Sequence, residues 1–286
     1  MADLIHFLNG KFVSEDEISI SPRDLGFARS YAVHDFIVTY NHKLFKVSEH
    51  VDRLFTSAEI IGLRIPWSKT DVVTWIQQTL DKNDLDGEKT MRIYITGGVS
   101  TSMHQADIPT ILIMVSRRVF YPATVYENGV RVTAIEHMRP FPQAKSNFYI
   151  AGVKELSKIE NEDIVEVIFY NDKQVLEGAG TNVFAVINNE LTTTATNIVE
   201  GVTRNTILEI AHLPIPVRVR DFTIEELENA TEVFLTGSHS EVRGVVQING
   251  KVVGDGKVGN ITREILKQYR EYVHGISQTY TLTKTR

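Results

Sequence analysis

The stretch VEVIFYNDKQVLEGAGTNVF, residues 165–184, carries the pattern on which the fold turns. Val165–Tyr170 is a short strand-like run, Asn171-Asp172 supplies turn residues, and a second run ends at Leu176. This spacing predicts a hairpin. Glu177-Gly178-Ala179-Gly180-Thr181-Asn182-Val183-Phe184 then reads as a small-residue turn before a further strand through Phe184–Ile187. Small residues let backbone approach a ligand closely, and Glu177 is the turn's only charge. The competing reading is an exposed hairpin with a solvated glutamate.

Outward from this stretch the same pattern recurs at Leu4–Leu8 with Asn9-Gly10, at Phe36–Tyr40 with Asn41-His42, and at Val245–Ile248 with Asn249-Gly250. Helical periodicity lies between the hairpins. Ser48 is expected to cap a helix whose apolar stripe is Val51, Leu54, Phe55, Ala58 and Ile61, and Thr70 or Asp71 to start another ending near Lys82. A third face comprises Tyr149, Gly152, Val153, Leu156 and Ile159; a last helix spans Ile261–Tyr272, and the polar tail Ser277–Arg286 is expected to fray or pack as a late strand. Hairpins interleaved with helices predict an α+β fold.

A chain of 286 residues favours two domains. Tyr121-Pro122 interrupts the chain after the apolar strand Thr110–Val115. The expected division is a small N-terminal α+β domain over 1–117, an interdomain loop over 118–123, and a larger cofactor-binding domain over 124–286. The net charge of −6 argues against nucleic-acid and anionic-membrane surfaces, so the expected partner is a small molecule. The absence of cysteine excludes disulfides, thiolate catalysis and Cys-ligated metals. Met1 to Lys11 lacks a basic segment followed by an apolar one, and the apolar run Ile111–Val115 is far too short to span a bilayer, which makes the cytoplasm the expected location.

Two motif spellings are decoys. Gly254-Asp-Gly256-Lys-Val-Gly259 matches a dinucleotide fingerprint but lacks the following parallel strand and its acidic residue, and Asn260 stands where a phosphate-loop lysine should follow. The nine histidines include no His-x-x-x-His pair, so no metal site is expected.

What remains is a distributed set. Lys145 lies between the strand-like Val130–Ile135 region and the helix that begins near Tyr149; a lysine at a helix mouth is most often simply solvated. Gly201-Val202-Thr203-Arg204 opens a helix whose first N–H groups would stabilise a phosphate. Thr236-Gly-Ser238-His239-Ser-Glu241 is a hydroxyl-rich corner after an apolar strand, equally readable as a plain strand–turn–strand.

In order and spacing these segments, with Glu49–Leu54, the Gly254–Gly259 stretch and the Asp24–Phe36 block, resemble the class IV aminotransferases: D-amino-acid and branched-chain aminotransferases, R-selective amine transaminases and aminodeoxychorismate lyase. The resemblance covers nearly the whole chain. It implies the two-domain fold type IV, a pyridoxal 5'-phosphate cofactor, a homodimer, and an active site between the domains that borrows a loop from the neighbouring subunit. The N-terminal domain would supply substrate-facing residues and the C-terminal domain the cofactor cage.

Carried over residue by residue, the resemblance implies that Lys145 holds the cofactor as a Schiff base and shuttles the substrate proton. Glu177 would pair with the pyridine nitrogen, because an anion raises that nitrogen's proton affinity. Arg53, Val202, Thr203, Ser238 and His239 would hold the phosphate, Val199 would pack on the ring, and Thr181 and Asn182 would complete the cofactor contacts. Arg53 otherwise reads as a helix partner of Glu49.

An amino-acid substrate needs a clamp for its carboxylate. Where D-amino-acid aminotransferases use a tyrosine, an arginine and a histidine, this chain has His34, Ser102 and His104, so Arg29 is the expected substitute; its other reading is a structural arginine at the dimer interface. The leading expectation is transamination between a D-amino acid and a 2-oxo acid. Branched-chain L-amino-acid transamination and aminodeoxychorismate lysis are alternatives, the lyase weakened by Phe36 where a hydroxyl is expected. A protein that binds the cofactor without turnover is disfavoured because both Lys145 and Glu177 are retained.

Overall fold

A computed structural model describes residues 4–158 and 164–283, with side chains through 275. Ile159, assigned above to a helix face, lies outside the described residues. The chain divides into two compact units, Met1–Val119 with Gln143–Phe148, and Phe120–Pro142 with Tyr149–Arg286.

The first unit contains β1 (Ile5–Leu8), β2 (Lys11–Ser14), α1 (Leu25–Arg29), β3 (Ala32–Tyr40), β4 (Lys43–Leu44), α2 (Val47–Ile60), α3 (Lys69–Asp81), β5 (Lys89–Thr96) and β6 (Thr110–Arg117). Its six strands form one antiparallel sheet in the order β2-β1-β6-β5-β3-β4. The predicted stripe Val51, Leu54 and Ala58 faces the sheet and joins Val72, Ile76, Ile93 and Ile113 in one core. The helix starts differ from expectation. Lys46, in left-handed geometry at φ 47°, caps α2, so Ser48 sits inside the first turn. Ser68, with Asp71 reciprocating, caps α3 ahead of Thr70. Burial of the stripe sets the phase of α2, and that outweighs the capping preference of Ser48.

The second unit contains α4 (Ala123–Asn128), β7 (Val130–Glu136), α5 (Ile150–Leu156), β8 (Ile164–Asn171), β9 (Gln174–Gly178), β10 (Asn182–Ile187), β11 (Glu190–Thr193), α6 (Val202–Ile210), β12 (Val217–Val219), α7 (Ile224–Glu228), β13 (Glu232–Gly237), β14 (Glu241–Ile248), β15 (Lys251–Val252) and α8 (Asn260–Thr283). Nine strands form a mixed sheet in the order β12-β11-β10-β13-β14-β7-β8-β9, with β15 on β14. β9 stands at the sheet's edge and β10 near the opposite edge, yet the link between them is only residues 179–181, so the sheet curls to bring them together.

All four expected hairpins form. Asn9-Gly10, Asn41-His42 and Asn249-Gly250 form the expected turns and adopt positive φ. In the fourth, the left-handed pair is Asp172-Lys173, one residue later, because Asn171 pairs with Gln174. Asn188 and Asn189 make a further hairpin that had not been anticipated. Glu177 belongs to β9 and not to the turn that follows it. The C-terminal helix continues past Tyr272 to Thr283 instead of giving way to a strand, with Ile265, Tyr269 and Val273 buried at helical spacing. No proline interrupts it. Among the described residues no helix is long and apolar enough to cross a membrane.

Candidate active site

Lys145 was placed with the second region by the sequence, but its segment groups with the first unit. The reason is edge pairing onto β3. His34 N–H donates to the Lys145 carbonyl at 3.0 Å, Asn147 N–H donates to the Ala32 carbonyl at 3.2 Å, and Ser146 bridges Val33. On the other side, Lys145 N–H donates to Ser57 Oγ of α2 at 3.0 Å. The lysine backbone is thus fixed between a strand and a helix, and its side chain is half-buried.

Near it is a buried charged group. Arg53 donates through Nε to Asp35 Oδ2 at 2.9 Å and through Nη2 to Oδ1 at 2.7 Å, and His50 Nδ1 lies 2.7 Å from the same Oδ1. Asp35 and not Glu49 is therefore the ion partner of Arg53. Burial opposes ionisation of Asp35, but Arg53 and His50 outweigh it and hold the carboxyl well below the carboxylate range. Burial pushes His50 below its ordinary value, against the pull of Asp35; Lys145 is close enough for its charge to act on the same ring.

Elsewhere in the first unit a cavity of about 420 Å³ is lined by Arg29, Tyr31, Arg64, His104 and Gln105 together with Leu25, Gly62 and Met103. Two of the expected substrate residues, Arg29 and His104, meet there; His34 is not among the lining and packs 6.0 Å from the Tyr94 ring. Arg64 had no sequence signal. It is brought in by Gln105, whose carboxamide accepts from Arg64 N–H at 2.9 Å and donates to its carbonyl at 2.6 Å. Among the described residues no acidic side chain lines this cavity, so it favours an anion.

In the second unit Glu177 is buried at the end of β9. Arg139 forms an ion pair with its Oε1, donating through Nη2 and, at 3.2 Å, through Nε. Val199 N–H donates to Glu177 Oε2 at 2.9 Å, and Asn182 Nδ2 donates to the Val199 carbonyl at 2.8 Å. Glu177, Asn182 and Val199 are therefore joined directly, and Thr181 is held by Glu166 through its hydroxyl at 3.1 Å. Sequence reasoning missed Arg139. Its partner lies 38 residues away, and no local periodicity marks such a pair.

Gly201 caps α6 and contributes no side-chain hydrogen bond, which leaves the first N–H groups of that helix open toward an anion. The Thr203 hydroxyl at this end and the Thr236 hydroxyl on the packed strand β13 are buried without a hydrogen-bond partner among the described residues. Buried hydroxyls are normally paired. Two such groups on packed elements, one at a helix N-terminus, fit the oxygens of a phosphate. Ser238 and His239 follow on the β13–β14 turn, where the His239 ring meets the edge of Tyr121 at 5.2 Å. Among the described residues no three acidic or histidine side chains are grouped to hold a metal.

Residues 32–248 match the family model for amino-transferase class IV, and the chain belongs to that family of pyridoxal-phosphate enzymes. A D-alanine aminotransferase of Staphylococcus aureus (strain COL) is 32% identical over 280 residues, covering 95% of this chain and 98% of that protein. A putative branched-chain-amino-acid aminotransferase of Methanocaldococcus jannaschii is 30% identical over 277 residues, covering 93% and 95%. Among solved structures, the branched-chain aminotransferase of Thermoproteus uzoniensis with norvaline matches with TM-score 0.87 at 25% identity, covering 98% of this chain and 97% of that one. The branched-chain amino acid aminotransferase of Thermobaculum terrenum in its PLP form matches with TM-score 0.82 at 22% identity, covering 96% and 94%. These likenesses establish fold type IV. The chain is an aminotransferase.

Proposed function

We propose that this protein transfers an amino group between a D-amino acid and a 2-oxo acid, using pyridoxal 5'-phosphate. The observation that carries the amino-acid reading is the cavity of the first unit where Arg29 and His104 converge with no acidic side chain among the described lining residues, a setting for a carboxylate. Such a clamp does not select handedness, and the D-form is supported by similarity to D-alanine aminotransferases over nearly full length.

When bound, the cofactor supplies an electron sink for the carbanion formed at the substrate Cα. The chain's own residues do the rest. Lys145 attaches the cofactor through its ε-amine and moves the proton at Cα. Glu177, held by Arg139 and Val199, keeps a proton on the ring nitrogen. Val199 packs on the ring face, with Asn182 and Thr181 fixing the backbone around it. Val202 and Thr203 at the start of α6, with Ser238 and His239, hold the phosphate; Arg53 contributes its charge while anchored to Asp35. Arg29 and His104 bind the substrate carboxylate, and His34, assigned to the substrate by the resemblance, stands on β3 outside the lining of that cavity.

The protein works as a homodimer in this reading. Phe27, Val99, Met103 and Ile108 of the first unit are large apolar side chains left more than half exposed, a surface suited to a second copy.

The deciding experiment is the absorbance of the cofactor-loaded protein on addition of D-alanine, D-glutamate, L-leucine or R-phenylethylamine. Conversion of the bound cofactor to its amine form by the D-amino acids is the expected result. Conversion by L-leucine with none by D-alanine or D-glutamate would overturn the proposal.

A further inference from the structure

Glu166, on β8 of the second unit, is a buried carboxyl that the proposed chemistry leaves unused. Three donors converge on it. Oε1 accepts from Val167 N–H at 3.0 Å; Oε2 accepts from Gly180 N–H at 3.3 Å and from the Thr181 hydroxyl at 3.1 Å. Burial pushes its carboxyl up, opposed by these hydrogen bonds and by the positive charge of Arg243, itself buried and stacked on Tyr121 at 4.9 Å.

Two of these donors, Gly180 N–H and the Thr181 hydroxyl, belong to the turn after Glu177, and the third, Val167 N–H, belongs to β8 itself. Gly178 N–H donates to the Thr181 carbonyl and Ala179 N–H to the Val167 carbonyl, both at 2.8 Å. Nothing larger than glycine fits at 178, where a Cβ would stand 2.2 Å from Thr181 Oγ1 and 3.2 Å from the Glu166 side chain. On its other side the turn meets Gly237, whose Cβ would lie 3.6 Å from the Gly180 carbonyl oxygen. Glu177 enters this turn and Asn182 leaves it. Asn182 holds Val199, and Val199 returns to Glu177, so the contacts close a ring through the turn.

We infer that Glu166 is a positioning residue: by accepting from Gly180 and Thr181 it fixes the turn joining Glu177 to Asn182, and so sets where the Glu177 carboxylate meets the cofactor's ring nitrogen. The inference rests on the proposed role of Glu177. A carboxyl suits the task because three donors need acceptors and no donor of its own is called for. Leucine would leave all three unpaired. Glutamine would keep one acceptor oxygen and turn an amide N–H₂ toward a donor.

The test loads the holoenzyme with pyridoxal 5'-phosphate labelled with ¹⁵N in the ring and follows the nitrogen shift against pH by NMR. Wild type, Glu166→Gln and Glu166→Leu are compared with Val233→Ala, a core substitution in the same unit that lowers melting temperature away from the turn. Val233→Ala should keep the wild-type titration. Both Glu166 variants should lower the ring nitrogen's apparent pKa, leucine by about one unit, a tenfold loss of proton affinity, with kcat falling and KM little changed. Wild-type titration and kcat in Glu166→Gln, the milder variant, would overturn the inference while leaving Glu177 in place. A wild-type ring nitrogen that carries no proton removes the Glu177 reading and this inference together.

Discussion

Arg139 and Glu177 form a buried ion pair, each side chain only 7% exposed, and the second carboxylate oxygen of Glu177 is taken by Val199 N–H. Glu177→Gln keeps the shape and removes the charge, leaving the Arg139 guanidinium buried without its counter-charge. Breaking a buried pair on one side costs about 3–5 kcal/mol. Urea unfolding should therefore show a large loss of stability in Glu177→Gln and a smaller one when Arg139→Met is added to it. Equal stability of wild type and Glu177→Gln would mean that the pair does not hold this end of β9.

Acid should weaken the first unit in two stages. His50 is held neutral by burial below its ordinary value of 6.5, so between that value and its lower folded pKa the unfolded chain binds the extra proton and stability falls with pH. Asp35 has a depressed folded pKa, so its contribution is complete above 3.8 and is lost progressively below it. Melting temperature should decline from about pH 6.5 downward in wild type, and His50→Asn should flatten the upper part of that decline. A parallel pH profile in the variant contradicts the assignment.

Lys145→Ala should bind pyridoxal phosphate without attaching it. Borohydride treatment followed by mass spectrometry should add the cofactor mass to wild type and nothing to the variant. An adduct surviving in Lys145→Ala would transfer the covalent role to another lysine.

Gly201 stands where a Cβ would lie 2.0 Å from Asn182 Oδ1. Gly201→Ala should displace Asn182 from the Val199 carbonyl, at a cost of about 1–3 kcal/mol for a buried polar group left unpaired, and should weaken cofactor retention in dialysis. Gly10→Ala, in a solvent-facing turn with no atom near the new Cβ, is the control and should retain cofactor as wild type does.

Arg29→Gln should raise KM for the amino donor roughly tenfold, the usual weight of a lost charge-assisted contact, with a smaller change in kcat. An unchanged KM would favour the structural reading of Arg29 and leave the cavity's other cations to bind the carboxylate.

The sequence by itself determined the α+β class, the four hairpins and the α2 stripe of the first core, through local alternation, helical spacing and turn chemistry, which act over a few residues; on α5 it misplaced Val153, which is exposed. The residues of the cofactor motifs came from the resemblance to class IV aminotransferases. Only the tertiary structure decided who holds those residues. Asp35 claims Arg53 because β3 and α2 pack side by side, and the chain around Lys145 joins the first unit because it pairs with β3. Arg139 reaches Glu177, Arg64 joins Arg29, and Glu166 fastens the turn at Gly180 through pairings formed by sheet order and curl. Such contacts join residues far apart in the chain and leave no periodic trace. They are set by which edges meet when the cores close.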